Sequence, residues 1–485
     1  MRFLTKSKYA TGLACPRHLW MMFHQPERLP KHTAATQLIF DQGHEVGHLA
    51  KTLFPSGISL SEEFARNIKE TAEALKQRKP LFEAGLVAGN LYARADILVP
   101  VENNQWDIVE VKSSSSVKDE HIEDVSFQKY CYTQAGIAIR KCFLMHVNKD
   151  YVKHGAINPA ELLVQEEITA QVDLCLPSVP GKVEALLAII NSPTPPETTI
   201  GNGCENGHDC VCEECWNFLP EHNVFNLYRG GKASHELFKA NILSLMDVPA
   251  GTKLNAKQKI QIDCIQSNKP HIDTKQLKSF LAQLKEPLYY FDFETFSTAV
   301  PLYDGTSPYQ AIPFQFSVHV VANGKTSHHS FLADGREDPR PLLLKKLKQA
   351  LGSAGSIVVY NQSFEKGVLN KLAEAFPEYS TWVGSVISRI VDLYAPFSGF
   401  HYYHPNQKGS ASIKAVMPVL IGKGYDDFEI GKGDDASAAF FIMTFKGMSD
   451  EEKRKTRKYL ETYCARDTEG MIWIVEKIRE MVGKD

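Results

Sequence analysis

The segment Tyr289-Tyr290-Phe291-Asp292-Phe293-Glu294-Thr295 carries two carboxylates separated by one residue inside an aromatic run. Such a run reads as a buried strand, and the alternation of side chains along a strand puts Asp292 and Glu294 on one face. Burying two carboxylates without a counter-ion costs several kcal/mol each. A hard divalent cation such as Mg²⁺ or Mn²⁺, which takes oxygen ligands, removes that cost. A centre of this kind needs further acids from elsewhere in the chain.

Two later segments supply them. Ser356 to Tyr360 reads as a short strand, followed by Asn361-Gln362-Ser363-Phe364-Glu365, with Glu365 at the strand-to-helix turn and an amphipathic helix opening at Gly367-Val368-Leu369. Tyr459 to Lys477 has helical periodicity and contains Tyr463-Cys464-Ala465-Arg466-Asp467, in which Tyr463 and Asp467 lie one turn apart. The set Asp292, Glu294, Glu365, Asp467 with Tyr463 resembles the DnaQ-like, RNase H-fold 3′-5′ exonucleases of the DEDD type, tyrosine subclass. The resemblance implies that the four acids hold two metal ions for an in-line phosphodiester displacement and that Tyr463 orients the attacking water. The family usually has Asp where this chain has Glu365, and the longer arm alters metal spacing. Asp392, in Ile390-Val391-Asp392-Leu393, reads either as a further polar residue near the site or as a strand-end cap.

The N-terminal third holds a second constellation. A strand or hairpin over 88–99 carries Asp96, a strand over 105–114 carries Glu110 and Lys112, and a following helix carries Gln128 and Tyr132 one turn apart. Asp96 and Glu110 can hold a metal ion while Lys112 positions water or neutralises transition-state charge. The order Asp, Glu-x-Lys, Gln-x-x-x-Tyr resembles the RecB-like branch of the PD-(D/E)XK nuclease superfamily. In that branch a histidine of an earlier helix often joins the metal, which makes His44 and His48 candidates; their helix, over 37–54, is expected to be interrupted at Gly43 and Gly47. Residues 7–23 read as two helices broken at Cys15-Pro16.

Ten cysteines in a chain of cytosolic character point to a metal site before disulfides. Cys204, Cys210, Cys212 and Cys215 cluster, while Cys15 stands alone near the start. RecB-like nucleases of the AddB and CRISPR-associated types, which this pattern resembles, staple one N-terminal Cys to three that follow the nuclease core. The resemblance implies a [4Fe-4S] cluster on Cys15, Cys204, Cys210 and Cys215, with Cys212 as substitute. Zn²⁺ is the alternative metal, with His208 as a possible ligand. Such a cluster would tie the first helices to the end of the domain.

The surrounding chain is expected to be α/β: a restriction-endonuclease-like PD-(D/E)XK domain over 1–220, a helical connector over 221–286, and an RNase H-like domain over 287–485. The connector reads as helices over 233–245, 255–268 and 274–284, with Asp273 as a cap. A strand over 314–321 is expected to pair with 327–332. The aromatic and basic loop 401–414 suits either packing or stacking of unpaired bases. With 54 Lys and Arg against 57 Asp and Glu, the net charge of −3 gives no global basic signature, so nucleic-acid contact would rest on local patches. No run of eighteen apolar residues exists and Met1 to Lys8 lacks a signal-peptide core, so a cytoplasmic location without membrane partners is expected. The sequence thus points to a Mg²⁺- or Mn²⁺-dependent nuclease acting on DNA in repair, recombination or defence against foreign DNA. RNA trimming by the same site, or a non-catalytic nucleic-acid-binding module with decayed sites, are the rival readings.

Overall fold

The structure is a computed structural model that describes residues 2–201, 204, 210–425 and 433–483, the side chains of 433–435 excepted. Its fold is mixed α/β, and it divides into two compact units, Met1–Asn217 with Thr298–Gln310, and Phe218–Ser297 with Ala311–Asp485. The helices expected as a connector therefore fall within the second unit.

In the first unit the described elements are β1 (Leu4–Thr5), α1 (Lys6–Ala14), α2 (Pro16–His24), α3 (Ala34–Thr52), β2 (Ile58–Ser59), α4 (Phe64–Ala74), β3 (Leu81–Ala88), β4 (Leu91–Pro100), β5 (Trp106–Val111), α5 (Asp119–Gln134), β6 (Ile139–Val147), α6 (Pro159–Leu162), β7 (Leu163–Glu167), α7 (Thr169–Cys175) and α8 (Val179–Asn191). The sheet runs β2-β3-β4-β5-β6-β7, with β1 paired in parallel to β4. The tight β3–β4 connection turns at Gly89, whose φ of +59° suits a residue without a Cβ. Alternation along the strands feeds two cores. Ala84, Ala95, Leu98 and Ile108 pack with Tyr9, Val125, Phe127 and Leu186 of α1, α5 and α8. Phe82, Ile97, Val109 and Met145 pack with Val46 and Ala50 of α3. Cys15 ends α1 and caps α2, its Sγ accepting from His18 N at 3.4 Å with Pro16 as the first helical residue, which is the expected break. The expected interruption of α3 does not occur. Its glycines cost about 1 kcal/mol each relative to Ala, and the burial of Val46 and Ala50 against the sheet offsets this.

The second unit contains α9 (Lys232–Lys239), α10 (Ala256–Ser267), β8 (His271–Ile272), α11 (Thr274–Leu281), β9 (Leu288–Phe296), β10 (Ile312–Ala322), β11 (Lys325–Leu332), α12 (Arg340–Ala350), β12 (Ser356–Val359), α13 (Gln362–Ala375), α14 (Ser380–Ser388), β13 (Ile390–Asp392), α15 (Ala395–Ser398), β14 (Tyr402–Tyr403), α16 (Ile413–Ile421), α17 (Gly433–Phe441) and α18 (Asp450–Val482). Its main sheet has the order β11-β10-β9-β12-β13; β10 is antiparallel to both neighbours, whereas β9, β12 and β13 are mutually parallel. Tyr289, Phe291 and Phe293 of β9 turn to one face and pack with Leu344, Leu347, Leu369 and Val386 of α12, α13 and α14. The other face is left for α18, whose start is fixed by a capping box between Ser449 and Glu452. Asp273 caps α11 by accepting from Gln276 N. Among the described residues no helix is long and apolar enough to cross a membrane.

Candidate metal centres

Because Phe291 and Phe293 are consumed by the helix-covered core, the pleat of β9 turns Asp292 and Glu294 toward α18. Ser317 of β10 lies opposite Asp292 in register, and its hydroxyl sits 2.7 Å from Thr468 Oγ1, which docks α18 on this face. Gln315 Nε2 donates to Leu460 O at 2.8 Å and anchors the same helix about two turns earlier. The docking carries Tyr463, Cys464 and Asp467 over the β9 acids; ligand atoms of Asp292, Glu294 and Cys464 all lie within 4.8 Å of one another. Glu365 arrives from the first turn of α13, which follows β12 after Asn361 at φ +80°.

Electrostatics binds these acids into one group. Burial and then the charges of Asp467, Glu294 and Glu365 push the Asp292 carboxyl well above its ordinary range. Burial, joined by Asp467, raises Glu294 to about 8 against the pull of Lys414. Glu365, 1 % exposed, is pushed up to about 8 by burial and Asp392, and its Oε2 has no hydrogen-bond partner among the described residues. Asp467 is raised by burial to about 6, with Tyr425, Lys414 and Arg466 opposing; the Tyr425 hydroxyl donates to its Oδ1. Burial and the same acids hold the Tyr463 phenol far above its usual range, so it stays a neutral hydroxyl. A cluster of buried carboxylates only partly offset by Lys414 and Arg466, with an oxygen that has no partner among the described residues, fits a divalent cation.

Four details near this centre were not legible beforehand or decide readings the sequence left open. Cys464 sits inside the Tyr463–Asp467 segment yet points its thiol at Asp292 Oδ2, 3.8 Å away. Lys414 lies over the rings of Tyr463 and Tyr425, at 5.4 and 5.6 Å from their centroids. Of the two readings of Asp392, the structure takes the cap: its Oδ1 accepts from Asn361 N at 2.9 Å and Tyr394 N at 3.0 Å. Tyr402 and Tyr403 are 5 % and 1 % exposed, and Tyr403 stacks on Phe400, so this part of the 401–414 loop packs rather than offering faces to bases.

The first unit assembles its acids differently. Asp96 on β4 and Glu110 on β5 converge, and Asp96 Oδ2 accepts from Val111 N at 2.8 Å. Glu110 is fully buried; its Oε1 meets Lys112 Nζ at 2.7 Å and Lys6 Nζ at 2.8 Å, and its Oε2 accepts from Gln128 Nε2 at 2.8 Å. Lys112, just past the end of β5, also meets Asp124 Oδ2 at 2.7 Å. Burial alone would raise Glu110, but Lys112 and Lys6 outweigh it and hold the carboxyl far below its usual range. Burial and the Glu110 charge raise Asp96 to about 7. Sequence reasoning missed two members. Asp124 lies one helical turn before Gln128, a spacing that could have found it; Lys6, 104 residues from Glu110, had no local signal.

Other expected members lie elsewhere. The Tyr132 hydroxyl donates to Ala84 O and accepts from Ala95 N at 3.1 Å, bracing β3 against β4 rather than meeting the acids. His44 and His48 are exposed on α3. Among the cysteines, Cys15, Cys210 and Cys215 pack around buried Cys212, Trp20 and Met21, with Cys15 Sγ 3.9 Å from Cys212 Sγ. Cys212 thus stands in the group as described, whereas Cys204, whose Sγ accepts from Gly201 N at 3.5 Å, does not. The hydrogen bond with Cys212, helped by the backbone at the start of α2, lowers the Cys15 thiol to about 6. His208 lies outside the described residues.

Residues 289–412 match the family described as "Domain of unknown function (DUF2779)". The chain is 28 % identical over 228 residues to "Uncharacterized protein MG366 homolog" of Mycoplasma pneumoniae, covering 43 % of this chain and 34 % of that protein. It is 26 % identical over 230 residues to "Uncharacterized protein MG366" of Mycoplasma genitalium, covering 43 % and 34 %. It is 25 % identical over 226 residues to "Uncharacterized protein UU173" of Ureaplasma parvum, covering 41 % and 32 %. The matched region thus spans about a third of the length of these relatives. A solved structure titled "Crystal structure of SSO0001" aligns at 14 % identity and a TM-score of 0.21 over 40 % of this chain and 78 % of that one, a likeness too slight to bear on fold or function.

Proposed function

We propose that the protein is a metal-dependent nuclease of nucleic acids, DNA before RNA, whose principal centre is the group Asp292, Glu294, Glu365 and Asp467 in an RNase H-like second unit. The observation that carries this reading is the charge coupling of buried Asp292 to Asp467, Glu294 and Glu365, the last with an oxygen, Oε2, that is buried without a partner among the described residues. A pair of Mg²⁺ or Mn²⁺ ions held by Asp292, Glu294, Glu365 and Asp467 would supply Lewis-acid stabilisation of the attacking and leaving oxygens. The chain's own residues do the rest. The acids would hold the cations, and Tyr463, kept neutral by burial, would orient a water through its hydroxyl. Lys414, beside Tyr463, offsets negative charge at the mouth of the group.

The first unit, read as a RecB-like PD-(D/E)XK domain, would hold a cation on Asp96 and Glu110 with Lys112 assisting. One observation favours a binding role there instead: Glu110 is already ion-paired to two lysines. The thiol group reads as a structural [4Fe-4S] or Zn²⁺ site. The 3.9 Å separation of Cys15 and Cys212 is also about that of two thiolates on one tetrahedral zinc, whose bonds are about 2.3 Å. A brown chromophore after anaerobic purification favours iron; a colourless protein with stoichiometric zinc favours the other.

The test is cleavage of labelled single- and double-stranded DNA and RNA with Mg²⁺ or Mn²⁺. The expected result is activity that Asp292→Ala abolishes and Glu110→Ala leaves largely intact. Loss with Glu110→Ala alone would move the chemistry to the first unit, and inactivity of the parent chain on all four substrates would favour the binding module.

A further inference from the structure

Lys6 is the first residue of α1, where a helix dipole disfavours a cation, yet its ammonium is drawn 2.8 Å from Glu110 Oε1 and 3.8 Å from Asp96 Oδ1. Its backbone is held by the sheet that carries the acids: Leu4 pairs with Leu91 and Thr5 with Tyr92 of β4, and Leu4 N donates to Asn90 O at 2.9 Å. The lysine is thus pinned at its base and reaches the gap between the two acids. Burial alone would lower its affinity for the proton, but Asp96, Glu110 and Asp124 outweigh that and keep it firmly an ammonium.

The remaining donors leave that gap as the entry for another cation. Glu110 Oε2 is engaged by Gln128 and Asp96 Oδ2 by Val111 N, which leaves Glu110 Oε1 and Asp96 Oδ1 outside these two bonds. Both are the oxygens that Lys6 meets. Lys112 also meets Glu110 Oε1 but has Asp124 as a second partner, so Lys6 is the cation seated between Asp96 and Glu110.

We infer that Lys6 is a tethered cation that competes with a divalent metal ion for Asp96 and Glu110, so that metal enters the first unit only as the Lys6 side chain withdraws. This rests on reading Asp96 and Glu110 as cation ligands and is independent of whether the bound state cleaves nucleic acid. The latch gives the two candidate centres different metal requirements: the second unit takes a cation readily, and the first only against its own lysine.

The experiment is Mn²⁺ binding to the full chain, followed by electron paramagnetic resonance and calorimetry, with Asp292→Asn and Glu294→Gln in place to silence the second unit. Adding Lys6→Met should tighten Mn²⁺ binding by about tenfold or more, an expected gain of one competing charge removed, and adding Glu110→Gln should abolish the gain. Unchanged or weaker binding by a folded Lys6→Met protein, or no Mn²⁺ binding by it at all, would overturn the inference. A second measurement avoids substitution at Lys6. Reductive methylation read by mass spectrometry should find Lys6 protected without metal and labelled at saturating Mn²⁺; protection that Mn²⁺ leaves unchanged would overturn the inference even if Lys6→Met cannot be folded. Because both readouts are binding, an inactive nuclease would leave this result standing, and a failed latch would leave the nuclease reading standing.

Discussion

Glu110 of the first unit is met by Lys6, Lys112 and Gln128, and is held far below its ordinary range. Glu365 of the second unit has an oxygen with no partner among the described residues and is pushed up to about 8. Both are buried glutamates beside other acids, so burial alone does not distinguish them. The difference lies in the countercharge. In the first unit the protein supplies it from its own lysines; in the second, Lys414 and Arg466 draw on Glu294 and Asp467, while burial is the largest cause raising all four carboxyls and neighbouring acids add to it at Asp292, Glu294 and Glu365. Lysines offset the charge of the first group from within the fold, whereas the second group of buried acids is held at a cost that the proposed cation would relieve.

The largest effect that sharpens this contrast is on pH dependence. Unfolded carboxyls titrate near pH 4, and Glu294 and Glu365 near 8 in the folded chain, so the folded state binds more protons between those values. Stability of the metal-free protein should therefore fall as pH rises from about 4 to about 8, by on the order of several kcal/mol. Below that window the cost is absent and above it the cost is complete. Saturating Mn²⁺ should flatten the fall, which denaturant titrations at several pH values with and without metal would read. A fall that metal leaves unaltered breaks the contrast.

Next come substitutions of opposite sign. Lys112→Met strips a partner from buried Glu110 and Asp124 and should cost about 3–5 kcal/mol. Asp292→Asn removes one of the repelling charges and should stabilise the metal-free chain at pH 8 by on the order of 1 kcal/mol while destroying the nuclease activity proposed above. Thermal unfolding of both variants decides it, and a destabilised Asp292→Asn would count against an uncompensated cluster. The smallest effect belongs to Asp392→Ala. Loss of its bonds to Asn361 N and Tyr394 N should cost about 1 kcal/mol, with Mn²⁺ affinity retained.

How much of this was written in the sequence follows from distance along the chain. Asp292 and Glu294 announce their shared face because Phe291 and Phe293 alternate with them, and Tyr463 and Asp467 announce theirs by helical spacing. Such short-range periodicity also located the strands expected over 314–321 and 356–360, found over 312–322 and 356–359, and the terminal helix expected over 459–477, which runs longer, over 450–482. Lys6 and Tyr425 gave no such signal, since each reaches its acid through sheet or helix packing over many residues. The uninterrupted α3 and the short α9 failed for another reason: tertiary burial overrode glycine in the first, and a turn at Ala240–Asn241 ended the second. That Cys212 is the buried member of the cysteine group had no signal in the sequence, since spacing among neighbouring cysteines carries no information on which of them turns inward.

The contrast stands or falls on whether the second unit's acids gather a divalent ion. Calorimetric titration of Mn²⁺ into the full chain at pH 7.5, set beside Glu365→Gln and Asp292→Asn, reads it directly. Saturable binding that either substitution weakens at least tenfold is the predicted result, on the order of 1.4 kcal/mol or more of lost ligand energy. Binding that both variants retain unchanged, or none in the parent protein, would contradict it.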